Sequence, residues 1–379
     1  MGRENNKPIA VTLATATCAL LGTSATSPVN AQEEAAWQFN TALLYYGESD
    51  DRVEDISLNV LAQRNFVDER ILTLGLTVDS LTGATPIGAM PFNGPQTFTI
   101  PSGLQVLTRP ANEIPLDDTF LDTRYAIGSS WQQPFGRMNT WSAGLSFSGE
   151  YDYTHIGANF KLSHDFNNRN LLLQVNYSFS DASGYLNDPY KIVSLVDSFT
   201  GDPLLRTPTP GVDGPSHQYL FESRPDERTE HSLYAQSKYY MDGKVLDASY
   251  RFMTDDWDID SHTVDLGYRW PLNDRTYLEP HVRYYTQSHA EFYQPSIDGG
   301  ATLPSYASAD YRLGEFDAIT VGLKYGWETA SGTEWSARLE YYMADGSIPG
   351  NLLIGTQGER EIYPDLDAVI AQISYRFDI

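Results

Sequence analysis

Seven histidines and fifty acidic residues are the groups in this chain that could shuttle protons or hold a metal ion. The histidines are His155, His164, His217, His231, His262, His281 and His289. His281 is spaced by two from both Glu279 and Arg283. On a strand that spacing puts all three on one face, which suits a hydrogen-bonded network better than a catalytic set. His289, two residues from Glu291, is the best acid–base candidate. No Gly-x-Ser-x-Gly, metalloprotease helix or phosphate-cradling loop accompanies it. The expectation is therefore not an enzyme, with no catalytic residue and no cofactor. The densest acidic run is Asp255-Asp256-Trp257-Asp258-Ile259-Asp260. Hard cations favour several carboxylates, so Asp256, Asp258 and Asp260 are weak metal candidates. The run lacks the glycine of a calcium loop. Solvated acids, or contacts to divalent ions held by lipopolysaccharide, are the expectation here.

The elements that must position these groups are strands. In the last segment, Ile370 to Ile379, apolar and aromatic residues alternate with Gln372, Ser374, Arg376 and Asp378. Such a strand closes an outer-membrane barrel. Period-two alternation predicts further strands near 37–48, 52–65, 69–82, 119–133, 139–153, 155–167, 170–182, 229–241, 244–257, 259–271, 276–290, 315–329, 332–345 and 365–379. The fold class predicted is all-β, a transmembrane antiparallel up-and-down β-barrel of about 14 strands.

The connections alternate in length. Tight turns are predicted at Phe66-Val67-Asp68, 134–138, Asn168-Arg169, Asp242-Gly243, 272–275 and Ala330-Ser331. Long connections, expected to be extracellular, fall at 83–118, 183–228, 291–314 and 346–364. The segments 83–118 and 183–228 are rich in Pro and Gly and could fold inward, cover the mouth or bind a partner. Trp37, Trp131, Trp141, Trp270, Trp327 and Trp335 all fall near the tight turns on the apolar face, as an aromatic girdle requires. Trp257 falls at the opposite side. Each charge facing hydrocarbon would cost roughly 2–4 kcal/mol at the midplane. The charged residues of the strands are therefore expected to line the lumen: Asp79, Asp122, Arg124, Lys161, Lys238, Arg251, Arg269, Glu279, His281, Arg283, Lys324, Arg338 and Glu340. Their near-balanced signs predict an ion-paired, partly filled interior.

Bulk composition alone would suggest a soluble acidic protein, with a mean hydropathy of -0.38 and a net charge of -25. A polar lumen face lowers that average without arguing against a barrel. The acidity makes nucleic acid an unfavourable partner. Residues 1–31 read as a secretory signal peptide, with 32–379 as the barrel. The single cysteine, Cys18, lies inside that leader. Without it the barrel region has no cysteine, which suits an oxidising compartment with no disulfide framework. The location expected is the outer membrane of a Gram-negative bacterium, with both termini periplasmic. Expected partners are outer-membrane lipid, lipopolysaccharide and the barrel-assembly machinery.

Several segments carry a family resemblance: Leu43-Leu44-Tyr45-Tyr46-Gly47-Glu48, Asp79-Ser80-Leu81-Thr82-Gly83-Ala84, Pro95-Gln96-Thr97-Phe98-Thr99 and Pro115-Leu116-Asp117-Asp118-Thr119-Phe120. Glu150-Tyr151-Asp152-Tyr153 and Asp165-Phe166-Asn167-Asn168 join them. Together they resemble the proteobacterial family called domain of unknown function 3570, over essentially the whole region after the leader. The resemblance implies an exported outer-membrane protein with no assigned activity. It further implies neighbours such as a small lipoprotein, a thioredoxin-like protein and a flavinylated envelope protein. It assigns no residue a role. The functions expected are a porin-like small-solute channel or transport component, or a non-enzymatic scaffold for such a lipoprotein or redox system. An outer-membrane hydrolase is the least favoured.

Overall fold

The computed structural model describes residues 37–49, 52–86, 96–99, 106–110, 116–150, 153–167, 170–184, 192–193, 205–208, 217–220, 223–295, 297, 302–348, 352, 363 and 366–379. The predicted leader, 1–31, lies outside them. Fourteen antiparallel strands close into one barrel in chain order. They are β1 (Trp37–Glu48), β2 (Glu54–Asn65), β3 (Ile71–Pro86), β4 (Leu116–Pro134) and β5 (Asn139–Gly149). Next come β6 (Tyr153–Phe166), β7 (Leu171–Gly184), β8 (Glu227–Met241), β9 (Lys244–Asp255) and β10 (Asp260–Asn273). The last are β11 (Thr276–Gln287), β12 (Glu315–Glu328), β13 (Glu334–Ser347) and β14 (Leu366–Asp378). The cylinder shuts where β1 pairs with β14, from Gln38 opposite Asp378 to Glu48 opposite Ala368. Trp37 and Ile379 exchange both backbone hydrogen bonds at its foot, at 3.1 and 2.8 Å. Closure leaves no sheet edge, which is what a strand structure in lipid requires. Among the described residues no helix is long and apolar enough to cross a membrane.

Alternation sorts the residues as the pattern predicts. Leu74 and Leu76 on β3, Leu145 and Phe147 on β5, and Ile319, Val321 and Leu323 on β12 all stand exposed on the exterior. Such a continuous apolar surface on a closed sheet is the face of a membrane-spanning barrel. At the short-turn end an aromatic band follows the exterior. Trp37 meets Phe39, Phe39 stacks on Phe377, Phe377 on Tyr375, Tyr375 on Trp335 and Trp335 on Trp327. Arg64 lies over Trp37 and Phe66, and Arg70 over Phe66 and Trp131, which extends the band with cations suited to lipid phosphates. The opposite rim is built from tyrosines. Tyr45 donates to Glu54 at 2.9 Å and Tyr284 to Asp317 at 2.8 Å. Tyr177 and Tyr250 hydrogen-bond His231 and His262 at 2.8 and 2.7 Å.

The turns have local causes. Asp242 and Gly243 both take positive φ, 46° and 81°, the two left-handed positions a two-residue hairpin needs. The predicted turn at Asn168-Arg169 lies outside the described residues. Parts of the two longest connections form sheets of their own. Gln96–Thr99 pairs with Val106–Arg109, and Ile192–Val193, His217–Leu220 and Leu205–Pro208 make a second sheet.

Replacing Leu145, at the middle of β5, with arginine puts a guanidinium in hydrocarbon. The expected cost is roughly 2–4 kcal/mol of folding stability, read by urea unfolding in lipid vesicles.

Candidate functional site

The candidate site is the interior wall, and strand alternation builds it. Every charged residue predicted for the lumen lies on the face opposite the exposed apolar row. Asp79 on β3 and Arg124 on β4 are directly opposed in register and form a buried ion pair. Asp122, one pleat nearer the long-loop end, is buried and accepts from the Thr123 amide at 2.7 Å. Lys238 on β8 meets Asp247 on β9 at 3.2 Å, and Arg251 donates to Ser232 at 2.7 Å. Lys161 faces inward on β6. On β10 to β13, Asp265, Glu279, His281, Arg283, Arg338 and Glu340 form one linked group. Arg283 meets Asp265 at 2.8 Å, and Arg338 reaches Glu340 at 3.4 Å and Glu279 at 4.0 Å.

His281 is the centre of that group. Its Nε2 lies 2.9 Å from Asp265 and its Nδ1 2.9 Å from Glu340. Ionised carboxylates only accept. Both bonds therefore hold only when each ring nitrogen carries a proton or one carboxyl does. Glu340 sits on β13 and His281 on β11, with a whole strand between them. Gly322 of β12 is in register with both. A Cβ there would fall 2.5 Å from the Glu340 Cγ, so only a residue without one lets the carboxylate lie across the strand. The same device recurs four residues toward the short turns. Tyr277 on β11 lies over Gly326, where a Cβ would collide with its ring, and donates to Glu334 on β13 at 2.7 Å. The other Glu334 oxygen takes Arg376 of β14 at 2.8 Å. Sequence alternation found the charges. It did not find the glycines, whose signal is their inward phase at 322 and 326 on one strand.

Water reaches these groups unequally. The Arg283–Asp265 pair keeps 30% and 25% of its side-chain surface open, and Arg338–Glu279 keeps 22% and 24%. Toward the long-loop end, Arg228–Asp255 keeps 5% and 0%, and Arg224–Asp310 keeps 2% and 3%.

A folded cap explains the difference. The described residues of the connection 288–314 do not extend away from the barrel but pack onto inward-facing side chains at its mouth. Ala290, Phe292, Tyr293 and Leu313 share a buried apolar cluster with Tyr153, Ala182 and Met253, which are inward positions on β6, β7 and β9. Trp257 joins them at 2% exposure. It stacks edge-on with Phe292, lies under the Arg228 guanidinium and donates to the Glu227 carbonyl at 3.0 Å. Trp257 is therefore a cap residue and not part of a rim. Ala307 exchanges backbone hydrogen bonds with Ser223 at 3.0 and 2.8 Å. Asp310 receives Arg224 at 3.0 Å and Arg312 at 3.1 Å. Burial pushes the Asp310 carboxyl up, but Arg312 and Arg224 together hold it below its ordinary value. Gln287 donates to the carbonyls of Arg312 and Gly314 at 3.0 and 2.8 Å, and Tyr311 packs edge-on against Tyr363. The inward-folding segments expected from sequence, 83–118 and 183–228, lie largely outside the described residues. The described cap comes from 288–314 and 223–226, and its signal was Phe292, Tyr293, Ile297 and Leu313 in an otherwise polar loop.

The weak metal candidates do not converge. Asp256 accepts from the Thr229 amide at 3.0 Å, Asp258 takes a positive φ of 67° in the turn, and Asp260 begins β10. Their neighbour Asp255 anchors the turn, accepting from the amides of Trp257 and Ile259 at 3.0 and 2.8 Å. Among the described residues no group of three or more potential ligands is spaced to hold a metal ion. The acid–base candidate His289 places Nδ1 3.0 Å from the Ala290 carbonyl and lies against Tyr293.

The chain matches a family model described as Protein of unknown function (DUF3570) over residues 10–171 and 167–377. No curated protein matches it. It is similar in form to outer-membrane expressed OmpT of Vibrio cholerae, at 11% identity and a TM-score of 0.40 over 92% of this chain and 99% of that one. It is similar also to the CymD monoaromatic hydrocarbon channel, at 8% and 0.46 over 92% and 90%. OprD of Pseudomonas aeruginosa gives 10% and 0.37 over 93% and 98%. At such identities these are likenesses of form, and nothing about solute or activity passes from them to this chain.

Two outcomes follow for the wall and the cap. Gly322→Leu should force Glu340 off His281 and cost about 1–3 kcal/mol through the stranded buried groups, seen as a lower urea midpoint in vesicles. Because the Asp310 value is lowered in the folded chain, its contribution is present above the ordinary carboxylate range and lost as pH falls through the lowered value. Limited proteolysis of 288–314 should therefore accelerate in acid, and Asp310→Asn should show that acceleration already at pH 7.

Proposed function

The chain belongs to the Protein of unknown function (DUF3570) family, and we propose that it is an outer-membrane channel for small polar solutes, gated by the folded connection 288–314. In this reading the long connections face outward and both termini face the periplasm. The observation that carries it is the contrast in hydration along the interior. Arg283, Asp265, Arg338 and Glu279 retain water-accessible surface, whereas the pairs beneath the cap are sealed. A wall meant only to be filled would be packed throughout, since open charged groups contribute little to stability. A solvated charged vestibule under a closed mouth is the arrangement expected of a gated passage. The reading gives the chain no catalytic role. Its partners are lipid, lipopolysaccharide and the assembly machinery that inserts it.

A scaffold reading draws on a different feature. The small sheets at Gln96–Thr99 with Val106–Arg109 and at His217–Leu220 with its neighbours present short strands beyond the barrel. Strand edges of that kind can accept a partner strand, such as one from a small lipoprotein or a thioredoxin-like or flavinylated protein.

Planar-bilayer recording separates the two. Wild-type protein should conduct in brief openings. Asp310→Ala, which removes the anchor of the cap, should raise open probability several-fold by freeing a buried ion pair worth about 3–5 kcal/mol when one partner is lost. A membrane that stays silent for both proteins at every voltage, together with a stable protein partner recovered from native membranes, would replace the channel with the scaffold.

A further inference from the structure

Most inward cations of the described wall have a carboxylate within reach. Arg124 has Asp79, Arg228 has Asp255 and Glu230, and Lys238 has Asp247. Arg283 has Asp265, Arg338 has Glu340 and Glu279, and Arg376 has Glu334. Among the described residues Lys161, Arg251, Arg269 and Lys324 form no ion pair within 4.0 Å. Arg251 is held by Ser232, whereas Arg269 and Lys324 are held against one and the same tyrosine. The Arg269 guanidinium lies 3.6 Å from the Tyr277 ring centre, and the Lys324 ammonium lies 5.6 Å from it. Two like charges are thus gathered around one ring on the lumen wall, near the short turns.

Their neighbours offset their charge only in part. Glu334 is the carboxylate closest to Tyr277, but one oxygen accepts the Tyr277 hydroxyl and the other is taken by Arg376. Glu279 flanks Lys324 in register and is shared with Arg338. The ring itself cannot move away. It is 5% exposed, lies across Gly326, and is tied by its hydroxyl to a third strand. The cation–π contacts hold both charges at the ring but supply only part of a counter-charge. Tyr277 thus holds a planar five-donor fork and a three-donor ammonium around one ring.

The geometry points to an oxyanion-binding site in the lumen, formed by Arg269 and Lys324 around Tyr277, that takes the carboxylate or phosphate group of a small solute. Arg269 supplies paired donors to two oxygens, and Lys324 adds a point charge from the neighbouring wall. Entry is from the short-turn end, since the cap lies at the other. This deepens the channel reading by naming a solute class. The site itself does not depend on conduction.

The test is titration calorimetry on the full chain folded in detergent, with sodium phosphate and, separately, sodium succinate, at constant ionic strength set by chloride. Saturable heat with one or both probes is expected. Arg269→Gln and Lys324→Gln should each weaken it at least about tenfold, the loss expected for a charge-assisted hydrogen bond. Lys244→Gln, on the exterior over Trp270, should leave it unchanged. If a Gln variant does not fold, Arg269→Lys and Lys324→Arg keep the charge and should shift affinity in its place. No saturable heat with either probe in the wild-type chain overturns the site. So does equal binding in wild type and in both lumen variants. Phosphate preference over succinate, or the reverse, identifies the group. In bilayers, phosphate on the short-turn side should reduce chloride current in wild type and not in Arg269→Gln. Binding without any current would leave the site standing and remove the channel.

Discussion

Hydrocarbon cannot solvate a peptide group or an ion, and that single exclusion organises the molecule. Each backbone donor and acceptor in the span must find a neighbouring strand, so the sheet has to close on itself. Each ionised side chain must point away from lipid, so charge and oil alternate along every strand. The pairing of Trp37 with Ile379 satisfies the first demand at the foot of the seam. Inward Arg338 and Glu340 beside outward Leu339 satisfy the second within three residues. The interior then inherits more charge than a soluble core would tolerate, and the chain must deal with it locally.

It does so in two ways. Beneath the cap, charges are buried and matched, as with Arg228 between Glu230 and Asp255. Such pairs gain little over apolar packing but are costly to break, which suits an element that must hold one position. On β10 to β13 the charges Arg283, Asp265, Arg338 and Glu279 keep more water and are more loosely matched. Screening by water lowers the cost of imperfect pairing there.

The sequence made the barrel legible because alternation is a strict consequence of its environment. Ile319, Val321 and Leu323 could not face the lumen without exposing Lys324 to lipid, so register and sidedness followed together. The tight turns were legible for similar reasons, as at Asp242-Gly243. The cap was not. Its apolar residues have no period, and their partners, Met253, Tyr153 and Ala182, come from distant strands. Trp257 lies opposite the girdle as its sequence position implies, but its burial in the cap was not legible, since an indole near a strand end is compatible with a rim or with a buried cluster and only the placement of Phe292 and Arg228 decides. The candidate site was legible as a set of charges. The gathering of Arg269 and Lys324 on one tyrosine ring emerged only once the contacts of Tyr277 were known.

The side chains laid across Gly322 and Gly326 have a mechanical consequence. Each fastens β11 to β13 over the intervening strand, at His281 to Glu340 and at Tyr277 to Glu334. Backbone ladders alone resist separation but yield to sliding, since a slipped strand can re-form its bonds two residues along. These cross-ties oppose shear, because a shift of one strand would tear both fastenings at once. This sector of the staves is braced against changing its stagger.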